Sequence, residues 1–138
     1  MSTTIRNELS KKNCYHVEKY RMLELKNFCR QYGYLKNQIK NIDGYKSRWG
    51  VVDLTQKVNL SSIQDRLDDI LDSNLRRITM IEECAKLCDR IMCKWILIGV
   101  TEGVTYDNLR LVHNIPCSRE KYYIYYRKFF YILDKMRN

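Results

Sequence analysis

The chain of 138 residues contains a single proline, Pro116, and it falls between two stretches that both carry helical patterning. Proline cannot continue a helix, and it biases the residue before it away from the αR region. Ile115-Pro116-Cys117 therefore breaks the chain and predicts two separate helices on either side. Thr105 is placed to cap a short helix over 106–114. Ser118 is placed to cap a long one that begins Arg119-Glu120-Lys121-Tyr122-Tyr123-Ile124-Tyr125-Tyr126-Arg127-Lys128-Phe129-Phe130-Tyr131. Both hydroxyl residues accept a hydrogen bond from the exposed amides of the turn that follows. Upstream, Cys84, Leu87, Cys88, Ile91, Trp95 and Ile98 recur at helical spacing, which predicts a helix over 84–101 that Gly103 ends. Three successive helices with a tight turn before a cation-bearing last one have the outline of a helix-turn-helix DNA reader.

The rest of the chain reads as helical too. One proline and five glycines leave little room for a turn-rich β architecture, so the expected class is all-α. The expected division is an N-terminal helical part with a loop over 1–60, then 61–138. The latter would be a long helix or helix pair leading into the C-terminal helix-turn-helix. Residues 1–12 are polar. A first helix is expected over 15–32, with Val17, Tyr20, Leu23, Phe28 and Tyr32 near one face. Gly33 interrupts it, and a second short helix is expected over 34–42. Gly44, Gly50 and the β-branched pair Val51-Val52 make 44–61 a loop. A further helix over 62–72 either runs on into 74–101 or stacks on it.

Two quoted stretches resemble known proteins. Trp95-Ile-Leu-Ile-Gly-Val-Thr-Glu-Gly-Val-Thr-Tyr-Asp-Asn-Leu-Arg, followed by Ile115-Pro-Cys-Ser-Arg-Glu-Lys-Tyr-Tyr, resembles region four of bacterial sigma factors. It is also similar to the C-termini of small phage late-gene regulators of the RinA and ArpU kind. The resemblance covers about the last third of the chain. It implies a phage or prophage transcriptional regulator that reads duplex DNA with the helix after Ser118. The run Tyr20-Arg-Met-Leu-Glu-Leu-Lys-Asn-Phe-Cys-Arg-Gln-Tyr also resembles proteins of clostridial phages, which implies a mobile-element origin.

Charge agrees with a nucleic-acid partner. The net charge is +9, distributed unevenly. Residues 1–48 hold eleven Lys/Arg against four Asp/Glu, residues 49–115 eight against ten, and residues 116–138 six against two. Two basic ends thus flank an acidic middle, an arrangement that would grip a polyanion at both ends. The bland alternative is ordinary solubilising charge. No apolar run approaches the roughly 20 residues needed to span a bilayer. Residues 1–8 show no apolar signal core. The expectation is a cytoplasmic protein with no membrane partner and with reduced thiols.

Other constellations read as structural. Cys84, Cys88 and Cys93 are spaced along a helix rather than in the paired knuckles that structural zinc favours, so core packing is expected and no metal or other cofactor. His113 and Cys117 both border the turn, but nothing supplies an oxyanion hole, and no enzyme activity is expected. Asp65, Asp68, Asp69 and Asp72 lack the pattern of a calcium loop and read as a solvated face.

On the last helix, Tyr122, Tyr125, Phe129, Leu133 and Met136 form one stripe expected to face the core. Arg119, Glu120, Tyr123 and Arg127 point largely the other way and are the candidates for base edges. Arg forks onto guanine and Glu accepts from cytosine. Lys121 and Lys128 are the candidates for phosphate contacts, with Ser118 capping the helix that carries them. The expected partners are double-stranded DNA, a host RNA polymerase or another host protein, and a second copy in a homodimer. A rival reading is a phage-encoded inhibitor whose basic, Tyr-rich surface occupies a host nucleic-acid-handling or defence enzyme. A third, stacking of single-stranded nucleic acid on the tyrosines, fits less well because they lie on a helix rather than an open sheet.

Overall fold

Helix starts and stops in this chain are set by side chains that satisfy backbone groups, and not all of them are the usual residues. In a computed structural model that describes residues 14–49 and 57–137, the described residues form six α-helices and no strand. They are α1 (Lys19–Arg30), α2 (Tyr32–Trp49), α3 (Lys57–Cys88), α4 (Cys93–Glu102), α5 (Tyr106–His113) and α6 (Arg119–Met136). The polar stretch 1–12 lies outside the described residues.

The all-α expectation holds, and several boundaries differ from it. Glu18 opens α1: its carboxylate accepts from the Tyr20 and Arg21 amides at 2.9 and 3.0 Å. Those bonds hold the carboxyl below its ordinary value, the Arg21 amide foremost. The interruption after α1 is at Gln31 rather than Gly33, which sits inside α2. The expected loop over 44–61 shrinks from both sides. Residues 44–49 complete α2, 57–61 open α3, and 50–56 lie outside the described residues. A glycine inside a helix costs only about 1 kcal/mol relative to Ala, so Gly44 does not stop α2.

The helix expected over 84–101 is two helices. Asp89 is the cause. Its carboxylate accepts from the Ile91 and Met92 amides at 2.8 and 3.0 Å, ending α3 at Cys88 and restarting the chain as α4 at Cys93. An Asp side chain that bonds amides two and three residues on competes with helix continuation.

The chain divides into two compact units. Of the described residues, one contains 14–31 and 80–137, the other 32–49 and 57–79. In the first, α1 packs on α4 and α6, and α4 packs on α5 and α6. Its core takes Met22, Leu25, Phe28 and Cys29 from α1, Ile81, Cys84 and Cys88 from α3, and Ile96 and Val100 from α4. Tyr106 and Leu109 join from α5, and Tyr122, Phe129, Phe130 and Leu133 from α6. Arg21 ties α1 to α6: its Nε donates to the Asp134 carboxylate at 2.6 Å and its Nη2 to the Asp134 carbonyl at 3.3 Å. In the second unit the described buried residues are Leu35 of α2 and Asn74 and Ile78 of α3.

Asp89→Ala should lower stability at neutral pH by about 1 kcal/mol, the usual cost of losing a side chain that caps exposed amides. The Met92 amide foremost, then the Ile91 amide and the Tyr125 hydroxyl, hold the Asp89 carboxyl below its ordinary value of 3.8. A depressed carboxyl stabilises the fold above its unfolded value and loses that contribution as pH falls through its folded one. Urea unfolding should therefore show the gap between wild type and Asp89→Ala closing as pH drops below 3.8.

Candidate nucleic-acid interface

The segment α4–α5–α6 is fastened at each joint. Gly103 ends α4 in the left-handed region at φ 68°, with its amide donating to the Gly99 carbonyl at 3.0 Å. Thr105 caps α5 by accepting from the Asn108 amide at 3.3 Å. Asn114 closes α5 at φ 53°, and the next amide, Ile115, donates back to the Leu109 carbonyl at 3.3 Å. The Asn114 amide turns back to the same carbonyl, Ile115 is buried beside it, and Asn takes the left-handed place that glycine usually holds at a helix end. Ser118 caps α6 through the Lys121 amide at 3.2 Å. The caps expected at Thr105 and Ser118 and the stop expected at Gly103 are all present.

Two aromatic side chains lock the turn. The Tyr106 hydroxyl donates to the Cys117 carbonyl at 2.5 Å, bridging the start of α5 to the turn before α6. The Trp95 indole donates to the His113 carbonyl at 2.9 Å, fixing the end of α5 to α4. His113 thus enters the structure through its backbone. Arg119 completes the link: its guanidinium pairs with Asp107 at 2.5 Å and lies 5.3 Å from the centre of the Tyr106 ring.

The candidate DNA-contact residues divide among different sides of α6. Ser118, Arg119, Glu120 and Lys121 are exposed around its first turn, and Ile124 is exposed one turn further on. Tyr123 lies one turn beyond Arg119 but is not exposed with it. It is half-buried and lines a cleft with Tyr122 and Tyr126. Arg127 is half-buried, with its Nε enclosed and without a protein hydrogen-bond partner. Lys128 is half-buried near Cys88 and Asp89.

The core stripe also shifts from its expected position. Phe130 is fully buried, whereas Tyr125 is half-buried and Met136 is exposed. Tyr125 is drawn aside by polar neighbours. Its carbonyl accepts from the Cys88 thiol at 3.1 Å, and its hydroxyl meets Asp89.

Of the three cysteines expected in the core, Cys84 and Cys88 are there and Cys93 is not. Cys29, Cys84 and Cys88 are buried, Cys93 and Cys117 are half-buried, and Cys14 is exposed. Burial pushes the Cys84 thiol up to about 11 and the Cys88 thiol to about 12. The Cys93 thiol faces the Arg90 carbonyl at 3.2 Å. Among the described residues no three His, Cys, Asp or Glu side chains converge as metal ligands. Asp65, Asp69 and Asp72 are exposed and Asp68 is half-buried on α3. Among the described residues no helix is long and apolar enough to cross a membrane.

Comparison of the sequence with protein-family models, and of the chain with curated proteins and solved structures, gives no match.

Tyr106→Phe keeps the buried ring and removes only its bond to the Cys117 carbonyl. It should lower stability by about 1 kcal/mol in denaturant titration. With a thiol reagent at pH 8, Cys14 should react at once. Cys29, Cys84 and Cys88 should react only after denaturant is added, as mapped by mass spectrometry of the labelled peptides.

Proposed function

We propose that this protein is a non-catalytic DNA-binding regulator of phage type, which reads duplex DNA with the exposed first turns of α6. One observation carries the reading. α6 is held by a capped, five-residue turn from α5 and by its buried aromatic side, so that Arg119, Glu120 and Lys121 are presented to solvent on a packed element. A helix that offers its N-terminal turns from a packed support is how helix-turn-helix proteins enter the major groove. The net charge of +9 adds the sequence-independent attraction to phosphate that such readers use. Arg119 is engaged with Asp107 in the free protein, but an exposed pair of this kind is worth only about 0.2–1 kcal/mol. Exchange of Asp107 for a guanine edge is therefore inexpensive.

A second reading draws on α5. Leu111 and Val112 are 74% and 63% exposed, and Ile124 of α6 is 44% exposed. Aliphatic side chains left in solvent beside a basic helix favour a protein contact, with a host polymerase or with a host nucleic-acid-handling enzyme that the chain inhibits.

Selection of genomic fragments on the purified protein should enrich one motif. On that site Arg119→Ala should lose about 1–3 kcal/mol through the missing base contact. Lys121→Ala should weaken all sequences alike and reduce the salt dependence by about one phosphate contact. No enriched motif, together with recovery of one stoichiometric host protein in a nuclease-treated pull-down, would replace the first reading with the second.

A further inference from the structure

The side of α6 opposite Glu120 and Lys121 borders a half-open cleft of about 220 Å³ formed with α1 and α4. At roughly 100° per residue, Tyr122, Tyr123 and Tyr126 cluster on one side of the helix, and Glu120, Lys121 and Ile124 on the other. The cleft therefore lies away from Glu120, Lys121 and Ile124, whereas Arg119, by the same count, stands on the cleft side at the start of the helix, where it pairs with Asp107. Among the described residues its wall carries two cations, Lys26 and Arg30. The three tyrosine rings stand close together, with Tyr123 and Tyr126 5.7 Å apart, Tyr122 and Tyr126 6.0 Å apart, and the Lys26 ammonium 5.8 Å from the Tyr126 ring.

Three features give this cleft a shape suited to a ligand. Tyr122 is only 1% exposed, and its hydroxyl has no protein hydrogen-bond partner. A buried hydroxyl without a partner is a cost that native cores seldom carry without a reason. Gly99 makes room for that hydroxyl: a Cβ there would lie 2.0 Å from the Tyr122 oxygen. Gly103, besides taking a left-handed φ, makes room for Arg30, whose guanidinium nitrogen would lie 1.9 Å from an added Cβ. Two glycines on α4 and its C-cap thus leave space for the hydroxyl and for the cation.

We propose that this cleft binds a phosphate monoester, with the Tyr122 hydroxyl, the Arg30 guanidinium and the Lys26 ammonium as its donors. Two cations and a hydroxyl match a dianionic head with three terminal oxygens better than they match a single carboxylate. The half-buried faces of Tyr123 and Tyr126 would lie against the body of the ligand, as aromatic rings do against bases. Burial raises the Tyr122 phenol well above its ordinary range, so it stays protonated and donates. Such a head group occurs on free nucleoside monophosphates and on the 5′ end of a nucleic-acid strand.

The test uses the full chain with inorganic phosphate, a nucleoside 5′-monophosphate, sodium acetate, and a short oligonucleotide with and without a 5′-phosphate. Calorimetric titration should show saturable binding of phosphate and of the monophosphate at millimolar concentration or below, with acetate weaker. Preference for the monophosphate identifies a free nucleotide as the source. Preference for the phosphorylated over the unphosphorylated strand identifies the strand end. Tyr122→Phe should weaken binding about tenfold or more while leaving the melting temperature unchanged or raised, because it removes a buried group without a partner. Arg30→Met and Lys26→Met should weaken binding with the fold intact. Absence of saturable binding, acetate bound as tightly as phosphate, affinity untouched by these three substitutions, or a clear loss of stability in Tyr122→Phe would each overturn the site.

Discussion

The burial of α6 along one side is the constraint on which the larger unit depends. Tyr122, Phe129, Phe130 and Leu133 are at most 1% exposed, and they are enclosed where α6 packs on α1 and α4. Aromatic side chains of this size bury roughly 150–250 Å² each and dominate core energetics. Phe129 and Phe130 are neighbours in sequence with rings 5.1 Å apart and nearly perpendicular, so a broad arc of the helix is committed to the core. A helix buried over so wide an arc has few positions left to offer. This is why cations on the same helix have different surroundings, Lys121 standing in solvent and Arg127 partly enclosed.

Charge reinforces the same packing from the rim. Arg21 reaches from α1 to both the carboxylate and the carbonyl of Asp134, with each side chain only about a quarter exposed. Arg137 lies 3.9 Å from the centre of the Phe28 ring, a cation over an aromatic face at the far end of α6. These contacts join segments more than a hundred residues apart in sequence, and they place the start and the end of the described chain in one unit. Such contacts are not legible in the sequence, because patterning reports local helix formation and not which helices pack together.

The parts of the fold that were legible in the sequence are those governed by local chemistry. Gly103, Thr105 and Ser118 each act within four residues of their own position, and each does what its residue type implies. Asp89 was harder to read because the apolar spacing of Cys84, Cys88 and Trp95 continues across the break, and only the carboxylate geometry shows that the helix ends there. Glu18 was hidden for a related reason: Glu is an uncommon cap, and its choice of Tyr20 and Arg21 as partners is visible only in three dimensions. The shift of the buried stripe from Tyr125 and Met136 to Phe130 is tertiary. Asp89 and Cys88 draw Tyr125 to a polar edge, and Phe130 is buried in its place.

Tyr122 brings these strands together, because core packing alone would favour a different residue there. Its ring meets Tyr106, Tyr123 and Tyr126 at 5.1–6.0 Å, which phenylalanine would do equally well. What distinguishes tyrosine is the hydroxyl, which has no protein partner and is accommodated only because residue 99 lacks a Cβ. Glycine inside a helix carries its own cost of roughly 1 kcal/mol relative to alanine. Two unfavourable choices, on different helices, thus meet at one atom on the wall of the cleft. A core selected for stability alone would relieve both with phenylalanine at 122 and alanine at 99. Their coincidence beside Lys26 and Arg30 is accounted for if the hydroxyl gains a hydrogen-bond acceptor when an anion enters, so that the cost borne by the free protein is recovered in the bound one.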